Sequence, residues 1–146
     1  MPPQPHHFPA DMEAIDRAIH CVRDAGIAAL LSDEQVKKLE LVIEELFTNS
    51  ATHAVRKARE AAGALDEDTK LSVWIAAIPS PTGLEIHYDD DGPAFDPLAV
   101  DADAATAAVS SGQVGGLGRV LIRSLPTAVN YRRAEGRNRL VFRFEH

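Results

Sequence analysis

Residues 44–54 read EELFTNSATHA, and this stretch decides how the rest of the chain is interpreted. Within it Glu45 and Asn49 are four residues apart, which makes them neighbours on one face of a helix, and His53 continues the same stripe one turn later. A carboxylate can remove a proton from a hydroxyl group, and an amide oxygen is a hard ligand suited to Mg²⁺. Considered alone, however, the pattern is more typical of the solvated side of an amphipathic helix.

The stretch belongs to a long predicted helix. Ser32 followed by Gln35 forms a capping box at its start, and the helix is expected to end near Ala62-Gly63. Apolar residues recur at helical spacing along one face: Val36, Leu39, Ile43, Leu46 and Phe47, continued by Ser50 to Ala54. The candidate polar residues therefore border a buried face.

A second polar patch follows the predicted strand Leu84 to Tyr88, where residues 89–92 read DDDG. A carboxylate at a strand end can accept a hydrogen bond from an exocyclic amine, a contact that distinguishes adenine from guanine. The alternative is a surface turn that uses Asp and Gly for their tolerance of unusual backbone angles. Phe95 comes soon afterwards, and its ring is expected to pack against the core or against a base.

A third patch, Gly115-Gly116-Leu117-Gly118, is expected at the start of a helix that runs from Leu117 to Leu125. Free backbone N–H groups and the helix dipole attract anions there, and glycines let phosphate oxygens approach closely. The alternative is the end of a flexible loop. The patch is neither a P-loop, because no Gly-Lys-Ser/Thr follows, nor a dinucleotide fingerprint, because no predicted strand directly precedes it.

The remaining sequence predicts an α+β fold: a two-layer α/β sandwich with a mixed, mostly antiparallel sheet and helices on one face, in a single domain over residues 1–146. Residues 101–115 are expected to form a mobile loop that acts as a lid. The first predicted elements are an edge strand, His6 to Phe8, and a helix capped by Asp11 and ended at Gly26. A hairpin follows, in which Leu71 to Ile78 pairs with Leu84 to Tyr88 and the turn lies at 79–83. In the final hairpin, Ala128 to Arg133 pairs with Asn138 to Phe144, with the turn at Glu135-Gly136.

Composition limits the classes of function. The chain has 146 residues, 45% of them hydrophobic and 25% charged, and a formal net charge of -7 that argues against direct nucleic-acid binding. No apolar run is long enough to span a membrane and the first nine residues do not resemble a signal peptide, so a cytoplasmic location is expected. Cys21 is expected to pack as a small hydrophobe. Alternation with apolar residues predicts a solvated strand face for Arg132, Arg133, Arg137, Arg139 and Arg143.

In order and spacing, residues 44–54, 90–97 and 115–119 resemble the N, G1 and G2 boxes of the GHKL, or Bergerat-fold, ATPases. Within that superfamily, a glutamate in the N box and a short chain without a phospho-accepting helix most resemble the anti-sigma factor serine/threonine kinases. The resemblance extends from about Phe8 to the end of the chain. It implies the Bergerat fold, ATP and Mg²⁺ as ligands, and phosphorylation of an anti-sigma factor antagonist. In many members of this family a homodimer also sequesters a sigma factor.

The resemblance also implies a role for each matching residue. Glu45 corresponds to the catalytic base, Asn49 to the Mg²⁺ ligand, and Asp90 to the acid that binds adenine. The remaining nucleotide-binding positions are Gly92 and Ala94 in the G1 turn, Gly116, Leu117 and Gly118 in the G2 turn, and His53 and Arg119 as phosphate neighbours.

Two positions depart from the family pattern. Ala94 replaces the second glycine of the Asp-x-Gly-x-Gly turn, and Gly136-Arg137-Asn138 stands where relatives often carry Gly-Thr, with a hydroxyl that supports the adenine-binding acid. Asn138 is a candidate substitute for that hydroxyl.

Two alternatives to a kinase remain open. One is a binding module that holds ATP and a protein partner without transferring phosphate. The other is the detached catalytic domain of a histidine kinase.

Overall fold

The computed structural model describes residues 4–61, 70–99 and 114–146, with side chains from residue 118 onward in the last range. The strands are β1 (His6–Pro9), β2 (Ser72–Ser80), β3 (Gly83–Asp90), β4 (Ala128–Ala134) and β5 (Arg137–Glu145). The helices are α1 (Ile15–Ala28), α2 (Asp33–Asn49), α3 (Val55–Ala61) and α4 (Val114–Ser124).

The strands form one sheet in the order β1-β2-β3-β5-β4. All four strand pairings in the described ranges are antiparallel, so the sheet is not mixed as the sequence had suggested. Alternate strand residues are buried together with the apolar faces of α1 and α2, and Phe8 of β1 meets Phe47 of α2 edge to face at 6.4 Å between ring centroids. The predicted α+β sandwich is confirmed.

Glycine 26 does not end the first helix, as predicted, because α1 continues to Ala28. A β-carbon at Gly26 would lie 3.3 Å from side-chain atoms of both Val36 and Leu39, so the glycine lies where α1 packs closely against α2. The chain turns just beyond the end of the helix, at Leu30, which has a positive φ of 63° and is 82% exposed. An apolar residue is unusual at such a position, which glycine normally occupies.

The long helix begins at the predicted capping box, in which Ser32 and Gln35 bond each other's backbone N–H groups. It is continuous through Ala61, but Ser50–Ala54 is wound as a π-helix between α2 and α3. Apolar periodicity alone did not predict this segment. Because π turns are wider than α turns, the residues after Asn49 lie at a different angle around the axis than an unbroken α-helix would give them.

Both predicted hairpins are present, with altered ends. In the first, Ser80 pairs with Gly83, so the turn is tighter than the predicted 79–83, and β3 extends through Asp90. In the second, Glu135 and Gly136 have φ values of 54° and 76°, the combination typical of a tight type I′ turn.

The predicted lid lies almost wholly outside the described residues. Helix α4 begins at Val114, three residues before the predicted Leu117, so the last two residues of the predicted loop are helical. Within the described ranges, none of the helices combines the length and the apolar character needed to cross a membrane.

Candidate nucleotide-binding site

Asp90, the last residue of β3, is held by three hydrogen bonds. Its Oδ1 accepts from the backbone N–H of Gly92 at 3.0 Å and from Nδ2 of Asn138 at 2.9 Å, and its Oδ2 accepts from the Ser50 hydroxyl at 2.9 Å. A carboxylate offers about four acceptor positions, so among the described residues one position on Oδ2 is left open. This half-buried acid can therefore accept one more hydrogen bond.

A buried hydroxyl pair supports Asp90 from the core side. Ser50 Oγ lies 2.8 Å from Tyr88 Oη, and both residues are buried. Since the single Ser50 proton is donated to Asp90, the Tyr88 hydroxyl donates to Ser50. Burial raises the pKa of Tyr88 well above its ordinary value, so the phenol remains a donor at physiological pH.

Asn138 supports Asp90 from the neighbouring strand β5, where it lies directly opposite in register. Its Nδ2 also donates to the Pro93 carbonyl at 2.9 Å, while its Oδ1 accepts from the Phe95 N–H at 3.0 Å and from the Tyr131 hydroxyl at 2.7 Å. Asn138 thus supports Asp90 directly, and its role as a substitute for the family's hydroxyl remains a prediction.

The three consecutive acids of residues 89–91 do not share one environment. Asp89 lies on the opposite face of the sheet from Asp90, where Arg139 binds it through two hydrogen bonds of 2.9 and 2.8 Å. Asp91 accepts from the Ser72 N–H at 2.8 Å. Strand alternation and separate partners relieve the mutual repulsion expected of three neighbouring carboxylates.

The arginines of the last hairpin are not simply solvated, as the sequence had indicated. Arg137 lies 3.7 Å from the buried Asp89 carboxylate, and its guanidinium lies 3.5 Å from the centroid of the Trp74 ring. Arg133 donates to the Gly92 carbonyl at 2.7 Å, on the side of the sheet that carries Asp90. Alternating apolar residues identify these strands but do not reveal that an acid is buried among the arginines.

Gly92 is required for close packing rather than for an unusual backbone angle. A β-carbon there would lie 2.9 Å from the β-carbon of Ala54 and 3.3 Å from Asp90 Oδ1. Its φ is not positive; among the described glycines, only Gly83 and Gly136 have a positive φ. The turn after β3 therefore lies directly against the π-wound segment of the long helix.

Glu45 of α2 is brought against α4. A β-carbon at Gly118 would lie 2.2 Å from Glu45 Oε2, so a larger residue at position 118 would force the carboxylate to move away from this turn of α4. Burial, followed by the nearby charge of Glu44, raises the pKa of Glu45 above its ordinary value. A raised pKa brings a carboxylate closer to the range useful for a general base.

Asn49 and His53 lie on either side of the start of the π segment. Asn49 is the last residue of α2 and is half-buried. His53 is exposed, and its Nδ1 lies 3.4 Å from Nη2 of Arg56. Within the segment, the Thr52 hydroxyl donates to the Thr48 carbonyl at 2.6 Å. The roles of Asn49 at a metal and of His53 at phosphate remain predictions.

Two cations flank Phe95 in the loop after β3. Lys57 Nζ lies 5.5 Å and Arg119 Cζ 4.9 Å from the ring centroid. Both distances are within the range of cation–π attraction. The ring thus connects α3, the G1 turn and α4, the helix that carries Arg119 together with Gly116 and Leu117.

Sequence reasoning missed Ser50, Tyr88 and Tyr131 as members of the site. Ser50 was assigned to the apolar face, although a hydroxyl within an otherwise apolar stripe was an available signal. No spacing rule indicates that Tyr131 reaches Asn138 across the last hairpin. In the described part of the chain, no group of three or more His, Cys, Asp or Glu residues could hold a metal ion.

The fold is an antiparallel sheet backed by helices. A fixed acid lies at one strand end, and a glutamate on the central helix lies beside the glycine-rich start of another helix. These features define a Bergerat-type nucleotide-binding domain. A family model for the histidine kinase-like ATPase domain matches residues 8–144, and the chain belongs to this family. The GHKL resemblance is confirmed.

One solved structure similar to this chain is a component of the SiaB-SiaC complex from Pseudomonas aeruginosa. The two share 17% sequence identity with a TM-score of 0.51, over 95% of this chain and 88% of that one. At this identity the likeness shows a shared fold. No curated protein matches the chain.

Proposed function

We propose that this protein is an ATP- and Mg²⁺-dependent protein serine/threonine kinase whose substrate is a partner of the anti-sigma factor antagonist type. The observation that carries the proposal is the contact between Glu45 and Gly118. It puts a half-buried carboxylate with a raised pKa beside the helix whose glycines would receive phosphates. A carboxylate at this point can act as the base that phosphoryl transfer to a hydroxyl group requires.

The described residues fit an adenine nucleotide. Asp90 keeps one acceptor position open, and Gly92 and Gly118 each lie where a β-carbon would fill the space beside a site residue. Asp90 would accept from the exocyclic amine of adenine, and the start of α4 would bind phosphate oxygens. Asn49 would supply one oxygen to Mg²⁺, an ion that keeps several waters and phosphate oxygens as its other ligands.

In the proposed reaction Glu45 removes the proton from a serine or threonine hydroxyl of the partner. The hydroxyl oxygen forms a bond to the γ-phosphorus while the bond to the β–γ bridging oxygen breaks, and ADP leaves. Catalysis in phosphoryl transfer comes mainly from positioning and charge neutralisation. Arg119, held over Phe95, and His53 would neutralise charge on the phosphates.

The fold comparison supports a protein as the partner, because the similar chain was solved in a complex named for two proteins. We extend the proposal to a cytoplasmic partner-switching circuit. In that circuit the protein also binds a sigma factor, as a homodimer.

Phosphate transfer to an identified partner tests the proposal. The immobilised protein is used to capture partners from native cell extract, and each partner identified by mass spectrometry is purified and incubated with the protein and radiolabelled ATP. We expect acid-stable phosphoserine or phosphothreonine on the partner. Glu45→Gln should reduce the rate roughly 100-fold or more, because it removes the base without changing side-chain size.

Glu44→Gln is the matched control, since Glu44 is the exposed neighbour on the same helix, and its rate at neutral pH should equal that of the wild type. Acid-labile phosphohistidine on the partner would instead support the histidine kinase alternative. A verified partner that binds but acquires no phosphate would contradict the kinase proposal and leave a binding module.

A further inference from the structure

Asn138 is 8% exposed and uses its full hydrogen-bonding capacity. Its two N–H donors bind Asp90 Oδ1 and the Pro93 carbonyl, and its oxygen accepts from the Phe95 N–H and the Tyr131 hydroxyl. A side-chain amide with all four positions filled has one stable orientation, because rotation would break every bond at once.

Two of these four bonds enclose Ala94. The Pro93 carbonyl and the Phe95 N–H belong to the peptide groups on either side of this residue, so the Asn138 amide binds the turn much as a neighbouring peptide group would. Ala94 has an ordinary negative φ; among the described non-glycine residues, only Leu30 and Glu135 have a positive φ. The turn at Ala94 is therefore held in a conformation that an alanine adopts without strain.

A threonine at position 138 could not make this set of contacts. Its hydroxyl has one proton to donate, so a bond to Asp90 would leave the Pro93 carbonyl without its donor. With an alanine at position 94, the freed peptide groups would have little room to rotate towards other partners. A glycine would give them that freedom.

We propose that Asn138 and Ala94 act as a coupled pair. Asn138 is the positioning residue: it orients Asp90, the acid that binds the nucleotide base, and it holds the turn at Ala94. The inference rests on the proposed nucleotide site and adds the residue that controls its base selectivity. The two departures from the family pattern are, on this account, a single change, because the two positions are in contact through the turn.

Binding of MgATP and MgITP, measured by calorimetry across a double-mutant cycle, tests the pair. ITP carries a carbonyl where ATP carries the exocyclic amine, so the ATP/ITP affinity ratio reports the orientation of Asp90. Asn138→Thr should lower ATP affinity about tenfold and reduce the ATP/ITP ratio, because a single hydroxyl proton cannot serve both Asp90 and the Pro93 carbonyl. Ala94→Gly completes the cycle, and when it is added to Asn138→Thr it should recover most of the lost ATP affinity.

Tyr131→Phe provides a milder variant in case Asn138→Thr is poorly folded. It removes only the hydroxyl that bonds the Asn138 oxygen and should reduce the ATP/ITP ratio by a smaller factor. Asn130→Ala, at an exposed position on the same strand, is the control and should leave the ratio unchanged.

Additive effects in the cycle, or equal losses of ATP and ITP affinity in Asn138→Thr and Tyr131→Phe, would overturn the proposed pair while leaving the nucleotide site intact. A wild-type protein that binds neither nucleotide would contradict both the pair and the site on which it rests.

Discussion

At the scale of single residues, the acidic run 89–91 shows how neighbouring identical side chains acquire different chemistry. Asp89 is neutralised by arginines on one face of the sheet, and Asp91 binds the Ser72 backbone N–H at the start of β2. Asp90 faces the helices, and the described residues leave one of its acceptor positions open. The sequence indicated an acid at a strand end. It did not indicate which partners would fill the other acceptor positions of Asp90, because Ser50 and Asn138 are 40 and 48 residues away along the chain.

Glu45 and Glu44 allow a prediction about pH at the same scale. Burial and the negative charge of Glu44 both raise the pKa of Glu45, and a general base acts only when deprotonated, so the rate should fall as pH decreases through this pKa. Glu44→Gln removes the negative charge, lowers the pKa of Glu45, and should move the acidic limb of the rate profile to lower pH. Transfer rates measured from pH 4 upwards would show the shift; a limb that moves to higher pH or stays in place would contradict the assignment.

At the scale of elements, the helices and hairpins were largely predictable because their signals are local. Alternation placed the strands, the capping box placed the start of α2, and Glu135-Gly136 placed the last turn. The prediction that Gly26 ends the first helix was wrong, because this glycine contacts residues of α2 that lie 10 to 13 positions further along the chain. The π segment at Ser50–Ala54 was missed because apolar spacing there fits an α-helix equally well.

The contact between α2 and α4 gives a prediction at this scale. Gly118→Ala would place a β-carbon in the position that the Glu45 carboxylate borders, so the carboxylate must move. Phosphate transfer should fall about 10- to 100-fold, the effect expected when a reacting group is displaced by about 1 Å. Steady-state kinetics should show the loss in kcat.

Val120→Ala, at an exposed position on the same helix, is the control and should retain the wild-type kcat. In a Glu45→Gln background, Gly118→Ala should add little to the loss. Independent, multiplying losses would show that the two residues do not act through this contact.

At the scale of the whole molecule, the polar residues of the site meet where β3 and β5, the central helix and the start of α4 come together. The chain has a net charge of -7, yet arginines concentrate on the last hairpin, where they bind Asp89 on one face and the Gly92 carbonyl on the other. The order and spacing of the three boxes resemble those of the GHKL family, and this resemblance predicted that the boxes form one site. Composition alone predicted only an ordinary globular domain that does not bind nucleic acid directly.

The central claim is that Asp90 reads adenine, and calorimetry with MgATP and MgITP tests it most directly. In Asp90→Asn the amide oxygen should take the place of Oδ1, because the Gly92 N–H and Asn138 Nδ2 both donate there. The amide NH₂ group then takes the place of Oδ2, so a hydrogen-bond donor replaces the open acceptor position. We predict that the wild type and the control Asp91→Asn bind ATP roughly tenfold or more tightly than ITP, and that Asp90→Asn loses this preference. Equal affinities of the wild type for the two nucleotides, or an unchanged preference in Asp90→Asn, would contradict the account.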